Sequence, residues 1–174
     1  MQKIIPKHFG FTLIELMVVI VIIGILSGIG LASYTGTITK AKVAEAQTYL
    51  KDLRDSIRIA HISTDKYLGQ ITGNWCSDCA CRSMNLKDIA TTNSCYTIAL
   101  SAITKIEQAT DGVVTGVTNN IRDPWGGPYL IDENEWEWAA TPCRKDVIRS
   151  AGPDSLLGTA DDVVVTLGFS KKCP

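Results

Sequence analysis

The sequence predicts an α+β fold: one long N-terminal helix packed on a small antiparallel sheet, in a loop-rich, disulfide-stapled head. Three observations predict it. An apolar run opens the chain, a helical stripe follows, and the hydrophobic period shortens to that of strands over the last third. The chain has 174 residues, enough for one modest core. Its net charge of −1 argues against a nucleic-acid surface built on bulk positive charge, so nucleic acid is not indicated as a partner.

The apolar run is 11–32, in which Glu15 is the one formal charge. Roughly 22 residues make ~33 Å of helix, against a bilayer core of ~30 Å, so the run reads as a single membrane span. The stretch before it, MQKIIPKHFG, holds Lys3 and Lys7 and no acid. That balance keeps it cytoplasmic and puts everything after Ala32 on the far side. A secretory signal cut at Ala32-Ser33 is the alternative, and the run is long for such an apolar region. Gly24-x-x-x-Gly28 fits either close helix packing or simple flexibility.

Past the span, Val43, Ala46, Leu50, Leu53, Ile57 and Ala60 recur at steps of three and four, on one helix face. Lys51, Asp52, Arg54, Asp55 and Arg58 lie off that stripe. The stripe is expected to pack on the head, so that Phe11 to about Ser63 forms one helix of roughly 80 Å. Thr64-Asp65 and then Gly69 are expected to end it. Trp75–Asn93 reads as irregular, and a second amphipathic helix over about Tyr96–Ala109 buries Ala99, Ile103 and Ile106. "PYLI", "EWEWAA", "DVIRS" and "DVVVTLGF" read as strands, with Trp136 and Trp138 alternating against Glu135 and Glu137. Asp123-Pro124-Trp125-Gly126 is turn chemistry, with Trp125 as a core anchor. The expected plan is a leader over 1–10, a membrane helix over 11–32 and its amphipathic continuation over 33–63. The head over 64–174 divides into loop and helix (64–122) and sheet (123–174).

Six cysteines follow the span: Cys76, Cys79, Cys81, Cys95, Cys143 and Cys173. An extracytoplasmic head makes disulfides the expected state, and their connectivity is open. Cys143 and Cys173 flank the last strands and are a candidate pair. Cys76-x-x-Cys79 also allows a metal or redox site, although no second spaced pair and no βαβ pattern accompanies it.

GFTLIELMVVIVIIGIL, beginning at Gly10, resembles the N-terminus of type IV prepilins and the related pseudopilins. The resemblance implies that a prepilin peptidase cuts after Gly10 and methylates the new terminus at Phe11, while the apolar run is kept. An ionised side chain at mid-bilayer costs ~3 kcal/mol or more, so Glu15 needs a reason. The resemblance supplies one: Glu15 neutralises the Phe11 amine of a neighbouring subunit and sets axial register. Many members carry a proline at the position of Ala32, and here only Gly24, Gly28 and Gly30 offer comparable freedom.

Near the C-terminus, RDPWGGPYLI and SAGPDSLLGTADDV resemble segments of the major pseudopilin of type II secretion. That likeness implies a calcium site at Asp154, Asp161 and Asp162, with the Ala151 carbonyl. The spacing is not that of an EF-hand, and a solvated acidic turn is the alternative. Catalysis has little support: His61 is the sole histidine outside the leader, and adjacent carboxylates such as Asp161 and Asp162 usually point apart.

The expectation is therefore a non-enzymatic subunit of a type IV pilus-like filament. It would sit in the inner membrane, N-terminus cytoplasmic and head periplasmic or extracellular, before polymerising outside the cytoplasm. Its implied partners are itself, minor pilins or pseudopilins, the prepilin peptidase and an inner-membrane assembly platform. A secretion pseudopilus is favoured over a surface pilus for adhesion, motility or DNA uptake. A membrane-anchored redox or metal-binding protein is the remote alternative.

Overall fold

The computed structural model describes residues 10–170, leaving aside the side chains of 29–35. The leader before Gly10, the surroundings of Gly30, the side chain of Ala32, and Cys173 therefore lie outside what is described. The chain divides into two compact units, residues 1–40 and 41–174. Helix α1 (Leu13–Thr64) contributes to each.

In the first unit, the described apolar side chains from Phe11 to Leu26 stand exposed, from 86% at Phe11 to 47% at Val19. Gly24 and Gly28 have nothing within 4 Å of where a Cβ would sit. Among the described residues no helix is long and apolar enough to cross a membrane.

The second unit is built on the rest of α1. Ala46, Leu50, Leu53, Ile57 and Ala60 are all buried, and Val43 packs against them. The stripe read from the sequence is the core face. It meets Ala102, Ile103 and Ile106 of α3 (Ser94–Ala109), together with Tyr129, Ile131 and Ile148 from the sheet. Tyr49 of α1 stacks on Tyr129 with centroids 4.0 Å apart, and its hydroxyl donates to the Val117 carbonyl at 2.8 Å. Helix α3 begins at Ser94, two residues before the expected Tyr96, because the Asn93 side chain caps it by accepting from the Cys95 N–H at 2.9 Å.

The sheet is an antiparallel meander in the order β1 (Leu130–Asp132), β2 (Val147–Ser150), β3 (Val163–Thr166). Ile131 pairs with Ile148, and Ile148 with Val165. Alternation along β2 buries Ile148 and Ser150 and leaves Val147 and Arg149 half-buried, as a strand with one core face should. Helix on antiparallel sheet makes the fold α+β.

Two expectations fail. EWEWAA is not a strand: residues 135–140 turn, with Trp136 at φ 64°. The Asp146 carboxylate takes the N–H groups of both Asn134 and Glu135, at 2.6 and 2.7 Å, so those donors are lost to any ladder. The inside and outside are also reversed, with Glu135 buried and Trp138 exposed. Thr64-Asp65 ends the long helix as expected, but Gly69 plays no part in ending it. That helix stops at Thr64, where Asp65 turns left-handed at φ 53°, and Gly69 sits inside a short helix, α2 (Leu68–Thr72). There the Trp75 ring occupies the place a Cβ would take. Trp125, expected as a core anchor, is half-buried at the edge of the core.

Candidate functional site

Thr12 stands immediately before α1, and Glu15 lies in its first turn. The Thr12 N–H and hydroxyl both donate to Glu15 Oε2 at 2.8 Å, and the Glu15 N–H approaches Thr12 Oγ1 at 3.4 Å. This Thr-x-x-Glu arrangement is a capping box, which serves donors that the first turn of a helix leaves unpaired. The T-x-x-E spacing that marks it is present in the sequence. It folds the Glu15 carboxylate back toward the N-terminal end of the helix, beside Phe11 and away from the apolar turns that follow.

The cysteines resolve into pairs. Cys76 bonds Cys79, and Cys81 bonds Cys95. Cys143 is disulfide-bonded too, and Cys173, its expected partner, lies outside the described residues. One group of three metal-type donors converges within 4.8 Å among the described residues, Cys76, Asp78 and Cys79, but its two sulfurs are joined to each other. Neither remains as a thiolate to hold a metal. Asp78 inside this loop is fully buried and paired with Arg149 of β2 and with Arg82 at 2.9 Å, fixing the disulfide loop to the sheet. No local sequence signal marks that pair, since 71 residues separate its members.

The acidic loop joins β2 to β3. Asp161 Oδ2 accepts from the Asp154 N–H at 2.9 Å, and its other oxygen accepts from the Thr159 hydroxyl at 2.5 Å. Asp162 Oδ2 accepts from the Gly158 N–H at 2.9 Å, and Asp154 Oδ1 from the Leu156 N–H at 2.8 Å. Hydrogen bonds from Thr159 and from Asp154 hold the Asp161 carboxyl below the usual carboxylate range. Gly152, at φ 66°, lies so close to the Asp161 carbonyl that no side chain fits between them, which closes the loop at its base. The three carboxylates share one loop without converging as a ligand set. Their chemistry suits a hard cation, being carboxylate and carbonyl oxygen with no sulfur or imidazole.

The prokaryotic N-terminal methylation motif matches residues 5–31. The chain is also 29% identical over 167 residues to Type II secretion system core protein G of Escherichia coli (strain K12), covering 95% of each. The chain thus carries the prepilin methylation motif and is similar to type IV prepilins and pseudopilins. Shorter matches within that family are closer in identity. Fimbrial protein of Moraxella nonliquefaciens is 56% identical over 48 residues, or 28% of this chain and 31% of that protein. Type IV major pilin protein PilA of Myxococcus xanthus (strain DK1622) is 40% identical over 62 residues, or 36% of this chain and 28% of that one. No solved structure matches significantly. Its relatives are structural pilin and pseudopilin subunits, which supports a structural role for this chain.

Proposed function

We propose that this chain is a subunit of a type II secretion pseudopilus, the fibre that drives export of folded proteins across an outer membrane. The observation favouring secretion over a surface pilus is coverage. The likeness to Type II secretion system core protein G extends over 95% of both chains, whereas the two pilin matches stop at 31% and 28% of theirs. A shared N-terminus is what any two filament subunits need, while a shared head is particular to one fibre. The reading of a surface pilin draws its support from the 56% identity of that shorter match.

In this reading the segment 11–32 anchors the chain in the inner membrane, with the head on the far side. The exposed apolar side chains from Phe11 to Leu26 support it, because they have no cover within the chain. Covering one Leu or Ile side chain is worth ~1.5–3 kcal/mol, so lipid must sheathe this run before assembly and neighbouring subunits after it. The prepilin peptidase cuts after Gly10 and the new terminus is methylated at Phe11. Glu15 then meets the positive amine of a neighbour's Phe11, exchanging its hydrogen bonds to Thr12 for a charge-assisted one. An inner-membrane platform and minor pseudopilins complete the assembly.

Asp154, Asp161 and Asp162, with the Ala151 carbonyl, would hold calcium. The cation would draw together carboxylates now held by loop N–H groups and Thr159. It would tie the end of β2 to the start of β3. Deleting the gene tests the choice of fibre. Loss of exported proteins from the medium with surface fibres intact is the expected result, and the reverse would assign the chain to a surface pilus.

A further inference from the structure

The bridges Cys76–Cys79 and Cys81–Cys95 differ in what can reach them. Cys81 and Cys95 are wholly buried, so a thiol in solution has no path to their sulfurs while the head is folded. Cys79 is exposed, and its partner Cys76 is half-buried. Exchange begins when a thiolate attacks one sulfur of a disulfide, so access to that sulfur is the first requirement.

The loop that carries Cys76 and Cys79 is held by more than their bond. Ser77 and Asp78, the residues between them, are buried. Ser77 gives its N–H and its hydroxyl to the Glu133 carboxylate at 2.7 and 2.5 Å. Asp78 pairs with Arg149 of β2 and with Arg82 at 2.9 Å. The Cys76 N–H donates to Asn74 Oδ1 and the Cys79 N–H to the Cys76 carbonyl, both at 3.2 Å, and the Cys81 N–H donates to the Asp78 carbonyl at 2.9 Å. The bond itself closes a separation of only three residues, where loop-closure entropy gives least. Opening it therefore leaves both sulfurs in place to close again.

The two sulfurs are not equivalent. Cys76 Sγ lies 3.3 Å from Asp78 Oδ1, so an incoming thiolate meets a carboxylate there. Cys79 offers the open approach, and the half-exposed Arg82 guanidinium adds positive charge beside the loop. We propose that Cys76–Cys79 is a site of reversible thiol–disulfide exchange with a dithiol, attacked at Cys79 while the head stays folded. One thiolate of the dithiol bonds to Cys79 Sγ, and the Cys76–Cys79 bond breaks with its electron pair leaving on Cys76. Cys76 takes up a proton and, as a thiol, donates to Asp78 Oδ1. The second thiolate of the dithiol then displaces Cys79 from the mixed disulfide, and Cys79 takes up the other proton. Two electrons and two protons pass to the pair, and the dithiol ends as a disulfide.

The inference does not rest on the choice between secretion and pilus fibres. The experiment treats the full chain in detergent micelles with dithiothreitol at neutral pH, quenches samples with iodoacetamide and maps the labelled cysteines by peptide mass. Cys76 and Cys79 should label together, at least tenfold faster than Cys81 and Cys95, with the far-ultraviolet circular dichroism unchanged. Oxidised glutathione added after removal of the dithiothreitol should restore the bond. With the partner sulfur removed, Cys79 in Cys76→Ser should take a glutathione adduct at least tenfold faster than Cys76 in Cys79→Ser. Reduction of Cys76–Cys79 no faster than that of Cys81–Cys95, or only in denaturant, would overturn the proposal, and that reading of the unmodified chain holds even if a serine variant fails to fold. Equal adduct rates in the two folded variants would overturn attack at Cys79.

Discussion

Cys81 and Cys95 are fully buried and lie in a second core cluster with Leu86, Ala99, Leu130 and Ala151. Replacing both with alanine opens a bridge whose ends are 14 residues apart. Loop-closure entropy values a bridge of that size at ~3 kcal/mol of stability. For a head of about 134 residues, unfolding entropy is about 0.28 kcal/mol per degree, so the loss corresponds to a fall of ~10 °C in melting temperature. Lost sulfur packing adds to it. The Cys76–Cys79 bridge spans three residues, and the same relation allows it ~2 kcal/mol. Thermal melts under oxidising conditions, followed by circular dichroism near 220 nm, make the comparison. A fall under about 3 °C for Cys81→Ala/Cys95→Ala, or a larger fall for the Cys76 and Cys79 pair, would refute the assignment of the longer bridge as the main staple.

Glu107 at the end of α3 accepts from the Gly116 N–H, the Thr118 N–H and the Thr118 hydroxyl at 2.9–3.1 Å, which hold its carboxyl below the ordinary value of 4.5. A lowered folded-state value stabilises above the unfolded value and is lost as pH falls through the folded one. Glu107→Ala should therefore cost ~1–2 kcal/mol at neutral pH, allowing for its partial exposure, and almost nothing well below pH 4 in acid-dependent denaturant melts. Asp161→Ala should lower the melting temperature in calcium and change it little in chelator, with magnesium a poor substitute. Equal melting of variant and wild type in both would make the loop a solvated turn.

Much of the head was legible in local pattern. The stripe from Val43 to Ala60 has one period and one face, so its burial follows from spacing alone. The strand at 163–166 is a short β-branched run, and that at 147–150 follows β-branched Val147 and Ile148 with polar Arg149 and Ser150. What stayed hidden depends on long-range partners. Asp146 takes the N–H groups of Asn134 and Glu135 from 12 and 11 residues away, and so turns an alternating Glu-Trp sequence into a loop. Asp78 finds Arg149 across the fold, and Ser77 meets Glu133 over 56 residues. At the N-terminus the T-x-x-E spacing of Thr12 and Glu15 is itself a local capping signal, set beside the membrane charge that the same glutamate carries.

The start of the mature chain tests the filament account most directly. Intact-mass and N-terminal peptide analysis of protein taken from the cell membrane should find a chain beginning at Phe11, 14 Da heavier than unmodified for one methyl group (about 12 for carbon and about 2 for the net hydrogens). The apolar run should remain attached. A chain beginning at Met1, or one cut after Ala32, would contradict the account.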